Sequence, residues 1–159
     1  MGKFTLARRT KSFSALGDTE EVRPVFVKAI NDLVGFQNGI KRCHWSAGNH
    51  ALHIQLDTVW DKTADYIDQL VEVSMGLFGR LYGINEILPT WITFENTQDM
   101  INKFCEKMVD FHEAIPDNVY FSGIISDLED FISFLQQQRY MLSIAEDNMA
   151  PNVPNSGEM

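Results

Sequence analysis

The sequence predicts an all-α protein whose four long helices form one bundle, with a long crossover between the second and third helices. Apolar residues recur at steps of three and four along four segments, which is the period of a helix with one buried face. Glycine, proline and asparagine fall between these segments, where helices end and begin. The second connection is much longer than the other two, which leaves room for a short helix within the crossover.

The first two predicted helices are joined by a short turn. The first helix, α1, should begin near Arg23 and Pro24, since proline suits a first turn, and Gly48 and Asn49 should end it and cap the second helix, α2. We expect α2 to run over residues 50–79. The core-facing stripe of α1 consists of Phe26, Ile30, Leu33, Phe36 and Ile40, and it ends at His44.

The second pair of helices follows a long and apolar connection over residues 80–96. This connection should pack on the bundle, and Gly35 and Gly39 of α1 allow a neighbour to approach closely. We expect α3 to begin at 97 and end before Pro116, and α4 to run from 120 or 122 to 148. Two antiparallel helix pairs joined by a long link between the second and third helices (the B–C crossover) are typical of a ferritin-like four-helix bundle. We predict such a bundle over residues 19–149.

Composition limits the class of protein. Hydrophobic residues make up 45% and charged residues 22% of 159 residues, as in a soluble domain with one core. The net charge of −9 favours bound cations over nucleic acid. The two cysteines are too few for a disulfide scaffold, which favours a cytoplasmic protein. No apolar run reaches the roughly 18 residues of a membrane span, so we expect no membrane partner.

The two ends of the chain differ in composition from the bundle. Residues 1–18 carry four basic residues and no acid before Asp18, which predicts a flexible basic tail. The alternative is an arm that binds DNA or another acidic surface. Residues 150–159 are rich in Pro, Asn, Ser and Gly and should also be flexible.

One face of α2 carries a histidine and a row of carboxylates. At about 100° per residue, His53, Asp57, Asp68 and Glu72 fall within about 100° of arc, opposite the apolar face. Histidine and carboxylate side chains together suit iron, and also manganese or zinc. The alternative is an ordinary solvated acidic surface. His44 at the end of α1, or His50, is placed to add an imidazole.

These ligands cannot all reach one ion within a single chain. Asp57 and Asp68 are separated by roughly 16 Å along the helix, at about 1.5 Å per residue. If two copies of α2 cross antiparallel about a two-fold axis, His53 and Asp57 of one copy meet Asp68 and Glu72 of the other. We expect the crossing near 62 and 63, where Thr63 and Ala64 are small enough for close approach, and this symmetry creates two equivalent sites.

At these residues the sequence resembles the Dps family, the miniferritins of the ferritin-like superfamily. The family pattern reads here as His44-Trp45, Gly48-Asn49, Leu52-His53, Asp57, Asp68 and Glu72. The resemblance implies that His44, His53 and Asp57 of one subunit and Asp68 and Glu72 of its neighbour are iron ligands. The turn after α1 is about three residues shorter than in the family, which leaves His44 and His50 as alternatives.

The resemblance also implies a function. Dps proteins oxidise and sequester ferrous iron, with peroxide or oxygen as oxidant, in a homo-oligomer that is a hollow dodecamer. Iron storage of this kind protects against oxidative damage, and some members bind DNA through a basic N-terminal tail. We therefore expect an iron-binding protein, with ferroxidase activity left open. The alternatives are a catalytically inactive ferritin-like structural or interaction module, and a DNA-binding Dps-like protein.

Overall fold

The computed structural model describes residues 21–79 and 86–147, which form four helices and no strand. The helices are α1, Arg23–Trp45; α2, His50–Phe78; α3, Thr97–Ala114; and α4, Ser122–Asp147. The prediction of an all-α, four-helix protein is confirmed. In these two ranges no helix is long and apolar enough to cross a membrane.

Some predictions concern residues that the structure does not describe. Both predicted tails, over 1–18 and 150–159, lie outside the described ranges, and so does the proposed DNA-binding arm. Of the connection between α2 and α3, residues 86–96 contain no helix, and residues 80–85 lie outside the described part. The short helix predicted there is therefore absent from 86–96.

The core lies where the apolar stripes of the four helices meet. α1 packs against α2 and α3, and α4 packs against the same two helices. The ring of Phe36 on α1 stacks on Phe104 of α3, with centroids 4.5 Å apart. Phe131 of α4 meets Phe104 edge-on at 5.7 Å and stacks on Tyr66 of α2 at 4.2 Å. The stripe predicted for α1 is buried at every position.

The buried face of α2 differs from the predicted one. Thr63 and Ser74 are fully buried, while the apolar Val73 is 40% exposed. The Thr63 hydroxyl donates to the carbonyl of Val59 at 2.7 Å, so it needs no other partner inside the bundle. Thr63 therefore faces its own bundle, and of the two small residues at the predicted crossing only Ala64, which is half-buried, lies nearer the exposed face.

The connection before α3 lies along the outer side of α1. The backbone N–H of Thr90 donates to the carbonyl of Asn31 at 3.0 Å, and a guanidinium N–H of Arg42 donates to the carbonyl of Ile92 at 2.7 Å. Gly35 makes this approach possible, because a Cβ at that position would lie 2.1 Å from the Thr90 oxygen. The predicted packing of this segment on the bundle, beside Gly35, is confirmed.

Candidate metal centre

The turn between α1 and α2 brings two histidine rings together. Asn49 caps α2, since its Oδ1 accepts a hydrogen bond from the backbone N–H of Leu52 at 2.8 Å. The Nδ2 of Asn49 donates to the carbonyl of Ala145 at 2.8 Å, which ties the turn to α4. The rings of His44 and His53 lie close together at this turn, with centroids 3.7 Å apart and ring planes tilted by 33°.

Asp57, one helical turn after His53, completes a group of three candidate ligands. Its Oδ1 lies 2.9 Å from Nε2 of His44. One ligand atom from each of His44, His53 and Asp57 lies within 4.8 Å of the other two, a separation that one ion can bridge. In the described part of the chain, no other set of three His, Cys, Asp or Glu residues has this spacing.

The ring of His44 is buried, although its nitrogens form no hydrogen bonds with the described residues. The residue is only 8% exposed, yet neither Nδ1 nor Nε2 has a hydrogen-bond partner among the described residues. The 2.9 Å contact with Asp57 lacks the direction that a hydrogen bond requires. Burying a polar group unpaired costs about 1 to 3 kcal/mol. An ion bound between His44 and Asp57 would give one of these nitrogens a partner.

Asp57 also contacts a cation, Lys41 of α1. The Lys41 ammonium donates to Oδ1 of Asp57 at 3.4 Å. Desolvation acts to raise the pKa of Asp57, but the hydrogen bond from Lys41 and the contact with His44 outweigh it and hold that pKa below its usual value of 3.8. The carboxylate is therefore ionised at neutral pH, which is the form that binds a metal ion.

The structure distinguishes between the two histidines proposed for the first imidazole. His50 is exposed at the first residue of α2 and is not part of the three-residue group, whereas His44 is. The shorter turn thus still allows the His44 ring to reach His53. The neighbouring Cys43 is buried, and burial raises the pKa of its thiol. A protonated thiol is a poor metal ligand.

The remaining two predicted ligands lie elsewhere on α2. Asp68 and Glu72 are both exposed, as are the intervening acids Asp61 and Asp65. Asp68 is roughly 16 Å along the helix from Asp57. Within one chain, the structure brings together three of the five predicted ligands and leaves Asp68 and Glu72 apart from them.

A cleft beside the histidines was not predicted. It has a volume of about 360 Å³ and contains side chains from α1, α2 and the connection before α3, including Lys41, Trp45, Trp60 and Trp91. Lys41 also lies over the ring of Trp60, 4.9 Å from its centroid. Helical spacing is the feature of the sequence that could have placed Lys41 and Trp60 near the candidate ligands. Lys41 precedes His44 by three residues, and Trp60 follows Asp57 by three.

The donor set of this centre suits a divalent metal ion of borderline hardness. Two neutral imidazoles and one carboxylate are common ligands of Fe²⁺, Mn²⁺ and Zn²⁺. Three protein ligands leave coordination positions open for water, an oxidant or further ligands.

Comparison with known proteins assigns the chain to a family. A family model described as a family of unknown function, DUF5856, matches residues 44–142. The chain belongs to DUF5856. The part of the chain matched by DUF5856 begins at His44 and includes all five predicted ligands. No curated protein and no solved structure matches the chain.

Proposed function

We propose that this DUF5856 protein is a Dps-like miniferritin that binds ferrous iron between two copies of the chain, oxidises it and sequesters it. The observation that carries this proposal is the buried ring of His44, which forms no hydrogen bond to any residue that the structure describes and lies beside His53 and Asp57. Iron is the substrate here, and Mn²⁺ and Zn²⁺ are the other ions that the donor set accepts.

The second half of each site comes from the exposed acids of α2. Asp68 and Glu72 are one turn apart and exposed, so the helix of a second copy can approach them. An antiparallel pair of α2 helices places them opposite His53 and Asp57 of the partner and creates two equivalent sites. Facing carboxylates repel each other unless a cation lies between them, which favours a metal at this contact.

The course of the chain around α1 supports the ferritin-like topology. The end of α2 lies near the start of α1, because the rings of Phe78 and Phe26 are 5.1 Å apart. The start of α3 lies near the end of α1, where Met100 is close to Gly39. The connection must therefore cover the length of α1, as a long crossover does, and its residues 86–94 lie along that helix.

The proposed reaction uses peroxide or oxygen as the oxidant. Two Fe²⁺ ions each lose one electron, and one H₂O₂ accepts both electrons with two protons to give two molecules of water. The carboxylates of Asp57 and Glu72 stabilise the additional positive charge of the Fe³⁺ product. Iron and peroxide are both consumed in this reaction, which is the basis of protection against oxidative damage.

The test separates sites within one chain from sites between two. We expect His53→Ala alone, and Asp68→Asn with Glu72→Gln, each to abolish the peroxide-dependent absorbance of ferric product after anaerobic Fe²⁺ loading. When the two variants are co-expressed, a mixed dimer has one doubly defective site and one intact site. Mixing should therefore restore a substantial share of the activity, and Asp130→Asn, an exposed acid on α4, should have no effect.

Two results would contradict the proposal. Ferric product that survives the loss of both Asp68 and Glu72 would remove these residues from the site. A wild-type protein that remains monomeric in solution and shows no oxidation would favour the alternative, a ferritin-like interaction module without turnover. The mass of the particle in solution also shows whether the homo-oligomer is a dimer or a dodecameric shell.

A further inference from the structure

Lys41 and His44 contact the same oxygen of Asp57. The Lys41 ammonium is 3.4 Å from Oδ1, and Nε2 of His44 is 2.9 Å from that atom. Lys41 lies one helical turn before His44 on α1, so both side chains reach the candidate centre from one helix face. A positive charge is therefore present beside a proposed ligand before any ion arrives.

The Lys41 side chain also has a second favourable position. Its ammonium already lies over the ring of Trp60, 4.9 Å from the centroid, where a cation is attracted by the π electrons. Both side chains line the cleft of about 360 Å³, so the ammonium has room to move away from Asp57. The Lys41 side chain is 31% exposed, which allows such a movement without unpacking the core.

We infer that Lys41 is an exchangeable internal cation that a divalent ion must displace from Asp57 into the cleft beside Trp60. A metal-bound carboxylate oxygen lies about 2.0 to 2.2 Å from the ion, so an ammonium on the same oxygen is repelled by the ion. Lys41 then lowers affinity for divalent ions and sets the concentration at which the site fills. This inference rests on the proposed function only in its use of the site at His44, His53 and Asp57.

The test measures binding of Zn²⁺, which is redox-inactive, to the full chain by calorimetry. Lys41→Met keeps the length of the side chain and removes its charge, and we expect it to bind Zn²⁺ roughly threefold to tenfold more tightly than the wild type. Lys41→Arg keeps the charge and should bind close to the wild type. Because screening weakens charge pairs, the difference between wild type and Lys41→Met should shrink in about 0.5 M salt.

Tryptophan emission reports the movement itself. In the wild type, Zn²⁺ should change the emission as the ammonium moves relative to the indole of Trp60. Lys41→Met should lose this change while still binding Zn²⁺, and Trp60→Phe should lose it as well. If Lys41 had only a structural role, Lys41→Met would not lose the emission change while still binding Zn²⁺.

The possible outcomes distinguish this inference from the proposed function. The inference is overturned if Lys41→Met binds Zn²⁺ no more tightly than the wild type, or if this variant keeps the wild-type emission change. It is also overturned if neither protein binds Zn²⁺. Iron oxidation that does not depend on Asp68 and Glu72 would overturn the two-copy site, while tighter Zn²⁺ binding by Lys41→Met would still support the role of Lys41.

Discussion

Replacing His44 with leucine should make the metal-free protein more stable and the metal-loaded protein less stable than the wild type. The His44 ring is 8% exposed and has no hydrogen-bond partner for either nitrogen within the described residues. Leucine is similar in volume and has no polar atom to bury. Asp57, whose side chain is 39% exposed, keeps its contact with Lys41 and with solvent when the imidazole is removed.

The magnitude follows from the two unpaired nitrogens. Each unsatisfied buried group costs about 1 to 3 kcal/mol, and part of that gain is offset by lost contact with the ring of His53. We expect His44→Leu to raise the free energy of unfolding by about 1 to 2 kcal/mol in the presence of a chelator. Zinc at about 100 times its dissociation constant stabilises the wild type by about 2.7 kcal/mol and should leave His44→Leu almost unchanged, so the order of stability reverses.

Urea unfolding followed by far-ultraviolet circular dichroism, at one protein concentration with chelator and then with Zn²⁺, measures both effects. His50→Leu is the matched control, because His50 is exposed and should change stability by less than about 0.5 kcal/mol in either condition. The reasoning is refuted if His44→Leu is less stable than the wild type with chelator. It is equally refuted if His44→Leu keeps the full stabilisation by Zn²⁺.

Two further predictions concern the connection and the start of α3. Gly35→Ala should lower the free energy of unfolding by about 1 to 3 kcal/mol, because its Cβ would lie 2.1 Å from the Thr90 carbonyl oxygen. Gly76→Ala, whose Cβ has no neighbour within 4 Å among the described residues, should raise the free energy of unfolding by about 0.5 to 1 kcal/mol. Equal effects of the two substitutions in chemical denaturation would contradict the close packing of Thr90 on Gly35. Hydrogen bonds from Lys103 and from a backbone N–H hold the pKa of Asp99 below its usual value of 3.8. The ionised Asp99 therefore stabilises the folded state above pH 3.8. This stabilisation is lost as the pH falls through the lowered pKa of the folded state. The stability difference between wild type and Asp99→Asn should therefore be larger at pH 7 than at about pH 3, and a difference independent of pH would show that the carboxylate charge contributes nothing.

Local sequence signals were sufficient for the helices and for one half of the candidate centre. The stripe of α1 repeats at steps of three and four and ends at His44, which placed that ring on the buried side of the helix. Asn49 was identifiable as a cap because its short side chain satisfies a free N–H at the start of α2. His53 and Asp57 are one turn apart on one helix, so their proximity needs no tertiary information.

Periodicity was a weaker guide to which residues of α2 are buried. Thr63 and Ser74 are in the core because each hydroxyl bonds to a carbonyl of its own helix, at Val59 and Val71 respectively. A hydropathy pattern treats both as polar and assigns them to the surface. The predicted crossing of two α2 helices near 62 and 63 stays a prediction, with the half-buried Ala64 as its small residue nearer the exposed face.

The sequence by itself determined the number, order and bounds of the helices and the separation of the acids along α2, because these depend on the fixed geometry of a helix. Only the tertiary structure placed the ring of His44, and not that of His50, beside His53 and Asp57, since the length of a turn does not fix the direction of the side chains around it. It also placed Lys41 against Asp57 and Trp60 and laid residues 86–94 along α1. Those contacts join residues from different elements, and their distances depend on how the helices pack.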